Sequence, residues 1–334
     1  MKPLKLSILD QSPVSEGMDA EEALKNTVEL ASHAEKWGYN RFWVSEHHDS
    51  AALAGSAPEV LLSHIAAKTS RIRLGSGGVM LTHYSAFKVA ENFRVLSGLS
   101  PGRIDLGVGR APGGMPRATY ALHDGERRRI DRFPEQIDEL EMYLHDAIDP
   151  ADKLYGLKAT PVPQTVPQVW LLGSSPSSAA LAAEKGLPYT FAQFINGEGG
   201  PEAMQTYLQQ FKPSRYLKTP KNMVAVFVTC AETDEEAQRL NASIELAMVM
   251  LEQGMPLEGT PGPEKALAYP YSRFERAHMK ENRKRMIVGS PQTVKSSLQA
   301  LREAYQTDEI MLVSNLYRFE DKLKSFELIA KTMD

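Results

Sequence analysis

The chain has 334 residues, 42% hydrophobic and 24% charged, with a formal net charge of −4. That length suffices for one large core, and without a dense lysine or arginine stripe the balance of charge argues against a nucleic-acid or anionic-membrane partner. A single cysteine, Cys230, excludes an intrachain disulfide and any multi-cysteine metal site; with no signal-peptide run and no stretch of 18 apolar residues, a soluble cytoplasmic protein is expected.

Short β-type runs alternate with helix-period segments from end to end, the pattern of βαβ units around a parallel sheet. The first strand is LKLSIL (4–9). Asp19 opens a helix with Glu22 three residues on, as in a capping box; Leu24, Val28, Ala31 and Ala34 share a face, and Gly38 ends it. RFWVS (41–45) reads as a strand, 58–69 as a helix, IRLGS (72–76) as a strand, and 85–96 as a helix with Phe87, Ala90 and Phe93 on one face. The turn SPGR leads into the fourth strand, IDLGVG (104–109). After a stretch rich in glycine and proline, a charged helix spans 133–146, followed by the strand QVWLLG (168–173) and a helix over 176–185. PYTFAQF (188–194), a helix near 201–211, MVAVFVTC (223–230), whose Cys230 reads as a small core residue, and a helix over 234–251 come next.

Residues 254–288 hold prolines and glycines with little periodicity and read as an insertion, in which RKRM (283–286) is a solvated helix face. A helix opening in 289–304, the strand EIMLVS (309–314) and a helix over 319–333 close the chain. Eight sequential strands, seven with regular helices after them, favour the α/β class and a closed (β/α)8 TIM barrel over an open doubly wound sheet. One domain over 1–334 is expected, with 111–130 and 254–288 as mobile insertions at the C-terminal face, 111–130 being the first candidate for a lid.

In such a barrel the chemistry gathers where strands end. SEHH follows the second strand. Metal ligation fits it poorly, since the adjacent His47 and His48 project to opposite sides, no H-E-x-x-H helix is present and no cysteine set completes a coordination sphere. No metal is expected. Glu46 with a histidine would suit acid–base work, and equally a structural pair satisfying backbone groups; position alone does not decide. The glycines of LGVGRAPGG (106–114) imitate a dinucleotide fingerprint, but Pro112, Gly113, Gly114 and Pro116 forbid the helix that must open there, so a Rossmann site is rejected. Arg110 remains, as a phosphate clamp or a rim salt bridge. Gly77 and Gly78 end the third strand, where missing side chains admit a flat ligand or form a simple bulge. In WLLGSSPSSAALAAEKG (170–186), Gly173 leads to Ser174 and Ser175 at N-cap positions, Pro176, Ser177 and Ser178 fill the first turn, and Gly186 terminates the helix. That start is an anion site or ordinary capping.

Taken in register, EHH, GSGGVML, GRIDLGVGRAPGG and VWLLGSSPSSAALAAEKGLP resemble the bacterial luciferase-like flavin-dependent monooxygenases, single-chain luciferase-like FMN-dependent oxidoreductases included, over essentially the whole chain. The resemblance implies a barrel that binds reduced FMN and, with O2 and through a flavin 4a-hydroperoxide, oxygenates a small organic substrate such as an aldehyde. His47 would be the catalytic histidine beside the flavin and Glu46 the acidic residue at the isoalloxazine edge. Gly77 and Gly78, preceded by Ser76, would form a non-proline cis peptide under the ring, for which two glycines are the least hindered pair. Arg110 would meet the FMN phosphate, and Ser175 and Ser178 would share it, with Leu172, Gly173 and Ser174 leading in. Reduced FMN would come from a separate flavin reductase, and a homodimer is common in the family.

Gly109 and Ser174 stand where luciferase itself has a reactive cysteine and a glutamate, so light emission is not implied. Leu81, Thr82, His83, Tyr84, Ser85 and Ala86 replace the Leu-Pro-Asn-His-Ser-Pro of many relatives, which changes the pocket wall. The rivals are a deazaflavin- or NAD(P)H/FMN-dependent hydride-transfer oxidoreductase and a non-catalytic flavin-binding protein. Met248, Met250, Met255 and Met279 read as core residues or as the lining of a hydrophobic channel.

Overall fold

The computed structural model describes residues 3–126 and 128–333, so that Arg127, within the segment read as a lid, lies outside the described residues, as do Met1, Lys2 and Asp334. In chain order the elements are β1 (Lys5–Asp10), α1 (Ala20–Lys36), β2 (Arg41–Val44), α2 (Pro58–Ala66), β3 (Arg73–Met80), α3 (Ala86–Leu99) and β4 (Ile104–Gly109). Then come α4 (Pro116–Leu122), α5 (Phe133–Leu144), β5 (Gln168–Gly173), α6 (Pro176–Lys185), β6 (Tyr189–Ala192), α7 (Gly200–Gln210) and β7 (Asn222–Cys230). The chain ends with α8 (Asp234–Glu252), α9 (Pro263–Ala268), α10 (Arg273–Asn282), β8 (Met286–Gly289), α11 (Pro291–Tyr305), β9 (Glu309–Val313) and α12 (Phe319–Met333).

Strands β1 to β7 pair in parallel one after another, and β9 closes the ring by pairing with both β7 and β1. The result is a (β/α)8 TIM barrel with a ninth strand, β8, laid along the C-terminal half of β7. The segment 254–288, in which the sequence shows little periodicity, contains α9, α10 and the start of β8. Each is short and bounded by glycine, proline or serine, so no window was long enough to show a period. A capping box of Ser272 with Glu275 starts α10. RKRM is not a helix face; Arg283–Arg285 form a single 3-10 turn feeding β8, with Arg283 bonded to Glu245 at 2.7 Å and Lys284 to Glu281 at 2.6 Å.

Local chemistry explains the other boundaries. The Asp19 carboxylate accepts from the Glu22 amide at 2.7 Å and starts α1. The buried stripe of α1 is Ala23, Thr27, Leu30, Ala31 and Ala34, one residue round from the expected face, which leaves Leu24 and Val28 only partly buried. Inside the barrel Leu9, Trp43, Trp170, Ala225, Phe227 and Met311 interdigitate, Trp43 and Trp170 edge to face at 5.6 Å. Met248 packs against this cluster and Met250 against another, as core side chains do. Burial pushes the Cys230 thiol up to about 12, as expected of an inert core residue.

The N-terminal end of the barrel is plugged by charge. Arg41 donates to Asp105 at 2.5 Å and to Glu309 at 2.8 Å, and Arg73 donates to Asp105 at 2.5 Å. The C-terminal end carries the long loops after β2 and β4 and the two cavities described below. No described helix is long and apolar enough to cross a membrane.

Candidate functional site

A cavity of about 580 Å³ opens at the C-terminal end of the barrel. Its wall takes Leu9 from β1, Trp43 from β2, Gly77 and Gly78 from β3, Leu172 from β5, Ala225 from β7 and Met311 from β9, so the barrel core is its floor. The Gly77–Gly78 peptide is cis. A Cβ on Gly77 would come within 2.6 Å of Leu9 Cδ1, and one on Gly78 within 2.6 Å of Leu172 Cδ1 and 2.8 Å of the Gly107 carbonyl oxygen. Glycine here lets β3 lie close against its neighbours and leaves a bare backbone facing the cavity.

Most of the polar part of the wall comes from the segments after β4 and β5, which are adjacent strands. Ser175 is the N-cap of α6 and forms a capping box with Ser178, and the Ser178 hydroxyl also lies 3.0 Å from the Tyr189 hydroxyl. Gly173, Ser174, Ser177 and Leu181 line the cavity beside them. Opposite in sequence but neighbouring in space, Arg110 leaves β4 exposed, and its guanidinium makes no ion pair or hydrogen bond among the described residues. Arg128 reaches the same wall. It donates to the Thr82 hydroxyl and to the Arg110 and Ala111 carbonyls, the last two at 2.6 and 2.8 Å, while its Nε is buried without a partner. Thr190 Oγ1, also on the wall, is buried and unpartnered. Two guanidinium groups, a helix N-terminus rimmed with hydroxyls and a flat apolar floor thus share one cavity, a combination with the chemistry to take an anionic group beside an apolar one.

Glu46 is buried and accepts three hydrogen bonds, from His48 Nε2–H at 2.7 Å, the Tyr84 hydroxyl at 2.9 Å and the Met80 amide at 3.0 Å. Burial first, then the Glu46 charge, raises the Tyr84 phenol above its ordinary value. Next to this group, His83 donates through Nε2 to the Pro112 carbonyl at 2.8 Å and accepts at Nδ1 from His123 at 2.9 Å. These bonds tie the loop after β4 to the end of β3. The surface pair Arg117–Asp49 ties the same loop to the segment after β2.

His47 points elsewhere. Its Nε2 lies 3.1 Å from the Gln11 amide nitrogen, and it lines a second cavity of about 660 Å³ with Asp49, Arg117 and Glu258. Burial lowers its pKa to about 4, against the Glu46 charge and the Gly113 carbonyl, which favour the charged form. The imidazole is therefore neutral at pH 7.

Of the residues singled out from sequence, Gly77, Gly78, Arg110, Leu172, Gly173, Ser174, Ser175 and Ser178 come together on one cavity. Ser76 does not line it; its hydroxyl donates to the Gly107 carbonyl inside the sheet at 2.8 Å. Glu46 and His47 do not line it either. Sequence reasoning missed Arg128, Thr190 and Gln11. Arg128 sits in the run GERRR (125–129), where nothing marks which arginine turns inward. Among the described residues no group of three or more His, Cys, Asp or Glu could hold a metal ion.

A model of the luciferase-like monooxygenase family matches residues 4–308. The protein YwcH of Bacillus subtilis (strain 168) is 59% identical over 326 residues, covering 98% of this chain and 98% of its own. N-acetyl-S-alkylcysteine monooxygenase of the same organism is 39% identical, covering 98% of this chain and 97% of its own. The crystal structure of apo-MsnO8 superposes with a TM-score of 0.92 at 39% identity, with 98% of each chain covered.

Proposed function

From the premise that the chain belongs to the luciferase-like monooxygenase family, we propose that it takes reduced FMN and O2 and transfers one oxygen atom to a small organic substrate, an aldehyde being one candidate class. The observation that carries this reading is the 580 Å³ cavity, where an apolar floor with a bare Gly77–Gly78 backbone adjoins two arginines held without carboxylate partners. The buried, unpartnered Arg128 Nε and Thr190 Oγ1 fit a ligand that brings its own acceptors and donors.

When bound, reduced FMN supplies the activation of dioxygen, and the chain supplies the rest. Arg110, Arg128 and the Ser175 and Ser178 hydroxyls hold the phosphate, and the first turn of α6 favours its charge. Leu172, Gly77 and Gly78 would present an apolar face to the ring, with Gly173 and Ser174 between it and the serines. Glu46 holds His48, Tyr84 and the Met80 amide in place around the rim beside it. His47, neutral at pH 7, takes and returns a proton at its imidazole on the side of the second cavity, which we assign to the substrate. The loop 111–130, anchored by His83 and Arg128, keeps water from the cavity. Reduced FMN arrives from a separate reductase.

Calorimetric titration with FMN, riboflavin and a deazaflavin cofactor tests the reading. FMN is expected to bind at least about tenfold more tightly than riboflavin, the equivalent of one good phosphate contact. Preference for the deazaflavin would replace oxygenation with hydride transfer.

A further inference from the structure

We propose that Gln11 and Asn315 form a two-amide relay that sets which nitrogen of His47 carries the proton, acting as positioning residues for proton transfer at His47. The proposal rests on the role given to His47 above. Gln11 follows β1 and Asn315 follows β9, and the register Leu9↔Val313 brings them side by side at the C-terminal rim. The Gln11 amide nitrogen lies 3.1 Å from His47 Nε2, and the Gln11 carbonyl accepts from Asn315 Nδ2 at 2.8 Å. An amide nitrogen only donates, so here His47 Nε2 accepts and the neutral ring keeps its proton on Nδ1.

A proton arriving on Nε2 would set one N–H against another. Turning Gln11 end over end removes the conflict, since its carbonyl then accepts from Nε2–H and its NH2 turns to Asn315, which turns in its place to present Oδ1. Asn315 Oδ1 is at present buried without a partner, and after the double turn the Asn315 nitrogen occupies that position. Both arrangements keep both links and orphan one terminal atom, so hydrogen bonding within the pair does not choose between them, while on the other side of the ring the Gly113 carbonyl favours a proton on the nitrogen that faces it, the bias an acceptor at Nε2 has to outweigh. The proton on His47 chooses, and the rim can follow it without breaking.

The charged groups around the ring set the balance. Glu46 favours the charged imidazole and His48 disfavours it, while Asp49, Arg117 and Glu258 face it across the second cavity. Beneath the rim, Asp10 is paired with Lys322.

Asn315→Asp tests the relay at a distance, because an acceptor-only group at the end of the chain obliges Gln11 to turn its NH2 outward and its carbonyl toward His47. Imidazole nitrogen NMR on the full chain, with the His47 signals identified by their loss in His47→Gln, reads the outcome. In the unsubstituted chain the neutral His47 is expected to carry its proton on Nδ1. In Asn315→Asp it should carry it on Nε2, with the titration midpoint raised by about one pH unit or more. Gln11→Glu places an acceptor directly against Nε2 and should give the same swap, which keeps the test open if Asn315→Asp does not fold. A folded Asn315→Asp with the proton still on Nδ1 overturns the relay even if the midpoint rises, because that rise is charge alone; an unmoved proton in Gln11→Glu also overturns it. The spectra need neither flavin nor turnover, so failure here is distinct from failure of the role of His47, which turnover of His47→Ala reads.

Discussion

The Glu46 carboxylate serves His48 and not His47: it lies 2.7 Å from His48 Nε2, while His47 Nε2 meets Gln11 at 3.1 Å. Two adjacent histidines thus have opposite surroundings, one locked as a donor to a carboxylate and the other held neutral as an acceptor. Removing the carboxylate strands three donors in a buried site. Glu46→Ala is therefore expected to destabilise the fold by roughly 2–4 kcal/mol, and Tyr84→Phe, which removes one of the three bonds, by about 1 kcal/mol. Urea unfolding reads both, and equal losses would mean that the Tyr84 bond alone matters.

Arg110 and Arg128 differ in what else they do. Arg110 has no bond among the described residues, whereas Arg128 also holds the Arg110 and Ala111 carbonyls. Arg110→Ala should weaken FMN about tenfold and leave riboflavin unchanged, the value of one charge-assisted contact. Arg128→Ala should weaken FMN by at least as much and also loosen the loop, read as faster proteolysis within 111–130. Equal losses for FMN and riboflavin in both variants would place the phosphate elsewhere.

Stability should depend on pH through His47. Its folded value, about 4, lies below the ordinary 6.5, so between those values the unfolded chain binds the extra proton. The contribution is fully present above pH 6.5 and is lost as the pH falls toward 4, by up to about 3 kcal/mol. His47→Gln should flatten the denaturation midpoint across that window. A midpoint that falls as steeply in the variant would assign the effect to other groups.

Gly78 offers a test of the floor that is independent of charge. Its added Cβ would meet Leu172 Cδ1 at 2.6 Å and the Gly107 carbonyl oxygen at 2.8 Å, and the carbonyl cannot give way without moving β4. Gly78→Ala is expected to weaken FMN and riboflavin alike, by about tenfold or more, with circular dichroism unchanged. Loss of FMN binding alone would show that the ring lies elsewhere.

The barrel was legible because short apolar runs alternate with helix-period segments along the chain, as with QVWLLG before the helix that Ser175 caps. β8 was not, because the four residues Met286–Gly289, directly after a 3-10 turn, carry no period. At the site, glycines, the serine-rich helix start and Arg110 announce themselves by residue type at strand ends. The direction of a side chain does not: nothing in EHH tells that Glu46 turns to His48 and Tyr84 while His47 turns to Gln11, 36 positions away in the chain. Arg128 is hidden for the same reason, since its partners Thr82 and Arg110 are brought to it by the loop.

The central claim is that this cavity holds reduced FMN and governs its reaction with oxygen. The direct measurement is to load the protein with reduced FMN under anaerobic conditions, mix it rapidly with aerated buffer and follow the return of oxidised-flavin absorbance. Bound flavin that reoxidises with a distinct lag behind free reduced FMN, a lag shortened in Gly78→Ala, is the predicted result. Reoxidation at the rate of free flavin, with no lag in either protein, would contradict it.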